Sequence, residues 1–266
     1  LKSASQQGSD IDGEAAGDVS GDSISLSSDG LTLAVGASSN NGENGEYSGH
    51  VRVYQYDATS ETWGQLGSDI DGEAAGDYSG VSISLSSDGL TLAVGASFND
   101  GVNRERSGHV RVYQYDAIEG WVQLGADIDG EAAGDQSGSS ISLSSDGLTL
   151  AVGASGNTGV NGERSGHVRV YQYNPFAGAW VQLGADIDGE AEYDYSGTSI
   201  SLSSDGLTLA VGAPFNDGEN NEDENGGNSG HVRVYQLVDK FAPVITLVGD
   251  ATVSLELGST YTDAGA

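Results

Sequence analysis

One unit of about 59 residues recurs four times along this chain of 266 residues, and that repetition constrains the fold more than any other feature. The aspartate that opens the motif DIDGE returns after 59, 58 and 59 residues, at Asp10, Asp69, Asp127 and Asp186. The histidines keep this period except for a last step of 64 residues, which contains the acidic insertion PFNDGENNEDENGGNSG. Because insertions at one place in a repeat are typical of a surface loop, each unit is expected to be one compact module.

Each unit reads as four short β-strands, with no helical periodicity. The alternating segment SISLS leads through the turn SSDG into the apolar run LTLAVGA, and HVRVYQY and WVQLGADI follow. Asp-Gly between two apolar runs is a hairpin signal, and a continuous apolar run suits a strand that is buried on both faces. A β-solenoid would use shorter coils, and an immunoglobulin-like array would need more strands per unit. The pattern therefore predicts an all-β propeller built from four-stranded antiparallel blades.

The combined pattern of GDYSGVSISLSSDGLTLAVGASFNDG, SGHVRVYQYD and WVQLGADIDGEAAGD resembles the FG-GAP repeat over roughly residues 8–238. FG-GAP repeats form the propeller of integrin α-subunit heads and occur in secreted bacterial and algal proteins. The resemblance implies a secreted propeller, although the FG dipeptide is SG in all four copies. The Asp-rich calcium loop of many family members is shortened to SSDG, so the resemblance carries over no calcium site at that turn.

The repeats assign residues 1–240 to one propeller, with blades at about 9–67, 68–125, 126–184 and 185–240. The N-terminal segment SASQQGSDIDG aligns with the outer-strand segment TWGQLGSDIDG, whereas the fourth repeat lacks this strand after HVRVYQ. Residues 1–11 are therefore expected to complete the fourth blade and close a four-bladed ring. Two alternatives stay open: a larger ring, since the family that the sequence resembles favours seven blades, or completion of a neighbouring chain, which would give a head-to-tail homopolymer.

The tail at residues 241–266 differs from the repeats. It contains two alternating segments, VITLVG and TVSLELG, and resembles the opening of a bacterial immunoglobulin-like domain. So short a segment cannot form a sandwich by itself. It is expected to be a partial immunoglobulin-like segment or a strand-donating extension of the propeller.

The chain is strongly acidic, with 40 acidic against 9 basic side chains and a formal net charge of −31. Such a surface repels the phosphate backbone, which excludes nucleic acid partners, and it attracts cations. No apolar run reaches the length of a membrane span, so membrane insertion is not expected. The absence of cysteine excludes disulfides and thiolate metal sites.

Carboxylates at alternate positions followed by glycine, as in DIDGEAAGD, resemble the start of a calcium loop, because Ca²⁺ is bound by about six to eight oxygens. Ca²⁺ is therefore the candidate cofactor, and the alternative is a solvated acidic turn between blades. The candidate ligands are Asp10, Asp12, Glu14, Asp18, Asp69, Asp71, Asp127, Asp129, Asp186 and Asp188.

Two further sets of residues recur near the third strand. The loops before it vary most between repeats and are candidates for a binding rim that includes Asn99, Asp100, Arg104, Arg106, Arg164, Asn216 and Asp217. The strand itself repeats a histidine and an arginine, at His50, Arg52, His109, Arg111, His167, Arg169, His231 and Arg233. We expect these to be structural, with each arginine paired to a carboxylate of an adjacent turn, because a guanidinium forms planar bidentate contacts.

Near-identical repeats argue against an enzyme, because an active site brings different groups to one reacting atom. The sequence therefore predicts a secreted, non-enzymatic structural or adhesive protein at the cell surface, such as a filament or coat subunit assembled by strand addition. The alternative is an integrin-like or lectin-like head that binds a cell-surface or glycan ligand, with or without calcium. A third reading is a hydrolase that uses the propeller as a scaffold.

Overall fold

In a computed structural model, the described residues 3–101, 105–217 and 227–237 form eighteen β-strands in four successive antiparallel sheets, and no helix. The first sheet contains β1 (Ser23–Leu26), β2 (Thr32–Ala37), β3 (His50–Asp57), β4 (Thr62–Gln65) and β5 (Ile70–Asp71). The second contains β6 (Ser82–Leu85), β7 (Thr91–Ala96), β8 (His109–Asp116), β9 (Gly120–Gln123) and β10 (Ile128–Asp129). The third contains β11 (Ser137–Leu143), β12 (Thr149–Ala154), β13 (His167–Asn174), β14 (Ala179–Gln182) and β15 (Ile187–Asp188). The fourth contains β16 (Ser199–Leu202), β17 (Thr208–Ala213) and β18 (His231–Gln236).

The SSDG turn joins the first two strands of each sheet through side-chain hydrogen bonds. Asp29 Oδ1 accepts a hydrogen bond of 2.6 Å from the Ser27 hydroxyl and one of 2.9 Å from the Leu31 amide. Gly30 has a φ of 73°, in the left-handed region that glycine adopts without strain. The turn fixes the register of β1 on β2, as the Asp-Gly signal predicts.

The outer strand is broken into two pieces in each of the first three sheets, which corrects the single fourth strand predicted from WVQLGADI. In the first sheet, β4 pairs the second half of β3, with Gln65 opposite Tyr54, and β5 pairs the first half, with Ile70 opposite Val51. Gly67, with a φ of 79°, lies in the break. Because of this break, the DIDGE motif runs beside the first residues of the third strand.

Adjacent sheets pack face to face through apolar side chains. Val51 and Val53 of β3 lie in one buried apolar cluster with Ile83 and Leu85 of β6. Equivalent clusters join the second sheet to the third and the third to the fourth. Serine hydroxyls add hydrogen bonds across each interface; one example is the 2.7 Å bond that Ser82 Oγ donates to the Gly138 carbonyl. This arrangement confirms an all-β, propeller-like fold of antiparallel sheets.

The two ends of the described chain do not form a strand pair. Residues 3–11 contain no strand, and β18 pairs only with β17 among the described residues. The N-terminal segment instead lies against the first sheet, where Trp63 Nε1 donates a 2.9 Å hydrogen bond to the Gln7 carbonyl. The closed four-bladed ring and the domain boundaries therefore stay predictions, and the tail at 241–266 lies outside the described residues. No helix able to cross a membrane occurs in the described ranges.

Candidate functional site

The third strand of each blade separates two kinds of side chain because its residues alternate between faces. Val51 and Val53 point into the interface with the next sheet, whereas His50, Arg52 and Tyr54 share the opposite face. The Arg52 guanidinium lies 5.8 Å from the centre of the Tyr54 ring. The buried His50 thus lies at the beginning of the strand, where the DIDGE segments of two successive repeats converge.

Each of the first three histidines faces one glutamate and one aspartate from different repeats. The sets are Glu14, His50 and Asp69; Glu73, His109 and Asp127; and Glu131, His167 and Asp186, each with its ligand atoms within 4.8 Å of one another. The Nδ1-to-oxygen distances are 3.9 and 3.7 Å to Glu14 and Asp69, 3.7 and 3.9 Å to Glu73 and Asp127, and 3.7 Å to Asp186. We call these three sets the Glu-His-Asp clusters.

The geometry of the clusters fits a divalent cation. The separations are too long for direct hydrogen bonds, whereas two ligand atoms that each lie roughly 2.0–2.5 Å from a shared ion stand about 3–4 Å apart. Burial lowers the pKa of His109 to about 4 and also lowers the pKa of His167, so that these imidazoles are neutral at pH 7. Neutral imidazole and carboxylate are ligands that divalent metals accept. Ca²⁺ remains compatible with the carboxylates of these clusters.

An arginine two residues after each histidine holds the glutamate of its cluster. Arg52 Nη1 lies 3.5 Å from Glu14 Oε1, which leaves Oε2 facing His50. The same arginine donates a 3.0 Å hydrogen bond to the Asp12 carbonyl. Equivalent ion pairs join Arg111 to Glu73, Arg169 to Glu131 and Arg233 to Glu190. Each arginine therefore positions the glutamate at the start of its own repeat.

The structure divides the predicted calcium ligands among different roles. Asp69, Asp127 and Asp186 join the clusters, whereas Asp12, Asp71, Asp129 and Asp188 offer their backbone carbonyls to the arginines. Asp18 is buried and accepts a 2.8 Å hydrogen bond from the Ala15 amide, which holds the turn. Asp10 is exposed and accepts a hydrogen bond from Gln6. Glu14 also belongs to the first cluster, so four of the ten candidates take part in clusters, and calcium binding by them stays a prediction.

The fourth repeat carries only part of a cluster. His231 Nδ1 lies 3.5 Å from Glu190 Oε2, and Arg233 holds the other oxygen of Glu190 at 3.4 Å. No aspartate completes this pair within the described residues, because the outer strand that would supply it does not follow β18 there. The His231 side chain is 23% exposed, against 2% for its three counterparts.

Most of the predicted rim residues form hydrogen bonds, some within their own loop and others to a neighbouring acidic turn. Asn99 donates to Asp77, Asp100 accepts from the Arg106 amide, Arg164 donates to the Tyr195 hydroxyl, Asn216 donates to Asp194, and Asp217 accepts from the Asn228 amide, at 2.9–3.0 Å. Arg106 also lies over the Phe98 ring at 5.5 Å. Arg104 lies outside the described residues. These contacts give the loops fixed shapes, and the ligand-binding rim stays a prediction.

A cavity of about 500 Å³ opens beside the first cluster. Its lining includes Glu14, Asp18, Asn40, Asn41, Glu43, His50, Asp69 and Asp71. Burial raises the pKa of Asp71, and the negative charge of Asp69 raises it further. Because five of these residues are acidic and none of them is lysine or arginine, the electrostatic potential in the cavity is strongly negative.

Glu73, Glu131 and Glu190 were not among the predicted ligands, and the histidines were expected to be structural, a prediction that stays open. The signal was a fixed spacing across repeats: each histidine follows a glutamate by 36 residues in the first three cases and precedes an aspartate by 18 or 19. These residues are farther apart in sequence than the ligands of any loop motif. They form a cluster only because strand pairing brings their segments together.

The sequence matches no family model and no curated protein. Among the solved structures that share the fold are two that each have a TM-score of 0.52 over 82% of this chain. One is a periplasmic gluconolactonase of Pseudomonas aeruginosa, at 19% identity. The other is a protein of Bacteroides uniformis ATCC 8492 proposed to be a 6-phosphogluconolactonase, at 10% identity. The matches cover 58% and 54% of those chains, so this chain spans little more than half of their length.

These matches correct several expectations. The expected relationship to FG-GAP and integrin-like repeats is wrong, since both similar structures bear the names of lactonases. The prediction of a non-enzymatic structural or adhesive protein, with its filament or coat, is wrong for the same reason, and the integrin-like or lectin-like alternative is not favoured. The error came from equating similar repeats with identical sites, although one repeat can open a cavity through differences in its loops.

Proposed function

We propose that this chain is a divalent-cation-dependent hydrolase of a small neutral lactone, acting in the cavity beside Glu14, His50 and Asp69. The observation that carries the proposal is the position of a complete Glu-His-Asp cluster at the wall of a cavity of about 500 Å³. Cavities of roughly 300–1,000 Å³ accommodate small-molecule ligands. The fold shared with two proteins named as lactonases supports this reaction class.

The charge of the cavity favours an uncharged substrate. Glu14, Asp18, Glu43, Asp69 and Asp71 surround it, and no arginine or lysine is among the described residues that line it and could bind a phosphate. A phosphorylated lactone carries about two negative charges and would be repelled in such a site, unless several cations neutralised the wall. Between the substrates named for the two similar structures, the geometry therefore favours a lactone without phosphate.

The chain's own groups have distinct tasks in this proposal. Glu14, His50 and Asp69 hold the cation, and Arg52 orients Glu14 through the ion pair described above. The amide side chains of Asn40 and Asn41 line the cavity and can hydrogen-bond to the hydroxyl groups of a sugar-derived ring. When bound, the cation would polarise the lactone carbonyl, whose ring C–O bond is broken as water adds to give a hydroxy acid.

The same proposal includes an extracytoplasmic location. Two features support it: the word periplasmic in the name of one similar structure, and the strongly acidic composition. An acidic protein is less self-repelling where salt and divalent cations screen its charge.

Acid release from gluconolactone and from its 6-phosphate tests the proposal. The assay follows a pH indicator, subtracts spontaneous hydrolysis, and is run with Ca²⁺, Mn²⁺ or Zn²⁺ and with a chelator. We expect activity on the neutral lactone that a chelator abolishes. The double variant Glu14→Gln with Asp69→Asn should lose at least 100-fold in kcat/KM, whereas the matched change at the third cluster, Glu131→Gln with Asp186→Asn, should keep it. A wild-type rate equal to the spontaneous rate under all these conditions would reject the hydrolase.

A further inference from the structure

The first sheet exposes an apolar face that every later sheet buries. Ile24 and Leu26 of β1 are 68% and 56% exposed. Their counterparts in the second sheet, Ile83 and Leu85, are only 9% and 8% exposed, because the preceding sheet covers them. We call this uncovered surface the N-terminal face.

The fourth sheet exposes the other half of the same interface. Val232 and Val234 of β18 are 68% and 67% exposed. The corresponding Val51 and Val53 of β3 are at most 1% exposed, because the following sheet covers them. We call this surface the C-terminal face.

The two faces are matching halves of a contact that the chain already makes three times. At each internal interface, a valine pair of one sheet packs against an isoleucine and a leucine of the next. After four sheets, one copy of each half remains uncovered, so a second copy of this chain presents the correct partner for either face. Continuity with the internal interface identifies a second copy as the occupant.

The ends also carry complementary parts of a fourth cluster. Glu190 and His231 are held 3.5 Å apart with no aspartate from the described residues. Asp10 is the repeat equivalent of Asp69, and it keeps the same local geometry, since Gln6 bonds Asp10 at 2.7 Å as Gln65 bonds Asp69 at 2.6 Å. Asp10, however, is exposed, and within the described ranges it belongs to no cluster with a histidine.

We infer that the C-terminal face of one copy docks on the N-terminal face of another, and that Asp10 of the second copy completes a divalent-cation site with Glu190 and His231 of the first. In this contact Ile11 lies opposite Val232, as Ile70 lies opposite Val51 within the chain. The half-buried Ile11 then becomes buried, as Ile70 already is. Such a head-to-tail contact gives a ring where its rotation closes and an open chain where it does not.

The cation part of this inference rests on the proposed cation binding, whereas the docking of the two faces does not. Mass measurements test the docking by itself. The full chain, with a monomer mass of 27.1 kDa, is studied by sedimentation and light scattering across a range of concentrations, with and without added Ca²⁺, Mn²⁺ or Zn²⁺. We expect species of at least twice the monomer mass, and a monomer at every concentration would overturn the inference.

Variants at the N-terminal face and at the C-terminal face test the role of each face separately. Val232→Asp with Val234→Asp, and separately Ile24→Asp with Leu26→Asp, should each give a folded monomer, as judged by circular dichroism. Mixing these two variants should give a heterodimer and nothing larger, because each retains one good face. Ile118→Asp and Phe176→Asp, which replace exposed apolar side chains away from both faces, should assemble normally. Assembly that survives both blocked faces would contradict the docking.

Calorimetric stoichiometry tests the shared site. The assembled chain should bind about one more cation per chain than the monomeric variants, and Asp10→Asn should lose that extra site while Glu119→Gln, an exposed charge-neutralising control, keeps it. Unchanged stoichiometry in Asp10→Asn would reject the shared site even where the faces dock. If the monomeric variants bind no cation at all, the proposed function fails, while the mass measurements still decide the docking.

Discussion

Trp121 Nε1 donates a 2.8 Å hydrogen bond to the backbone carbonyl of Leu66, which belongs to the preceding repeat. Trp180 makes the same bond to Leu124, and Trp63 makes it to Gln7 in the N-terminal segment. The tryptophans therefore join successive repeats at their outer edge, as the Val-to-Ile contacts join them inside.

Replacing Trp121 by phenylalanine should lower the free energy of unfolding by about 1–2 kcal/mol, because the partly buried Leu66 carbonyl loses its donor. The matched change Trp63→Phe should cost less, since its bond to Gln7 lies at an exposed end where water can replace the donor. Urea unfolding of both variants checks this, and equal losses would argue against a role for burial.

Replacing Gly95 by alanine should destabilise the chain by at least about 2 kcal/mol, because a new Cβ would overlap the Gly138 carbonyl oxygen and the Ser82 hydroxyl. The clash lies on the backbone of the next sheet, so a side-chain movement cannot relieve it. Gly64→Ala is the control, since a Cβ at this strand position meets nothing within 4 Å. Thermal unfolding should show a large loss at position 95 and almost none at position 64.

The strands and turns were predictable because their signals are local. SISLS, the Asp-Gly turn and LTLAVGA specify β1, β2 and their equivalents by alternation and turn chemistry alone. The break in the outer strand was not predictable from the pattern, because the sequence QLG is compatible with a continuous strand. Only the positive φ of Gly67 in the structure shows the break.

The clusters depended on long-range pairing, which one sequence does not reveal. Glu14 and Asp69 reach His50 from two repeats, and each looks like part of a solvated acidic turn when read in its own segment. The constant spacing marked the residues, but only the pairing of β5 with β3 shows that Asp69 ends beside the histidine.

Two buried tyrosines predict a loss of stability at alkaline pH. Burial raises the pKa values of Tyr113 and Tyr171 from their ordinary 10.0 to about 12, helped by Glu73 at Tyr113 and Glu131 at Tyr171 and opposed by the neighbouring arginines. The folded state favours the neutral phenol. The contribution of these tyrosines to the free energy of unfolding is therefore fully present below pH 10 and is lost as the pH rises to about 12. The loss should be on the order of 2 kcal/mol for each tyrosine. Urea unfolding at intervals across this range, compared with Tyr113→Phe plus Tyr171→Phe, should show a shallower decline in the double variant.

Cation binding to the Glu-His-Asp clusters should raise the free energy of unfolding, because the ligands converge only in the folded chain. One site occupied at 100 times its Kd contributes about 2.7 kcal/mol. We therefore expect Ca²⁺, Mn²⁺ or Zn²⁺ to raise the Tm and a chelator to reverse the rise. Sodium chloride at equal ionic strength separates site binding from screening of the net charge of −31. Glu73→Gln with Asp127→Asn should reduce the gain, whereas Asp57→Asn with Asp116→Asn, at the strand ends farthest from the clusters, should preserve it. A Tm that follows ionic strength alone would leave the clusters as electrostatic contacts without a bound ion.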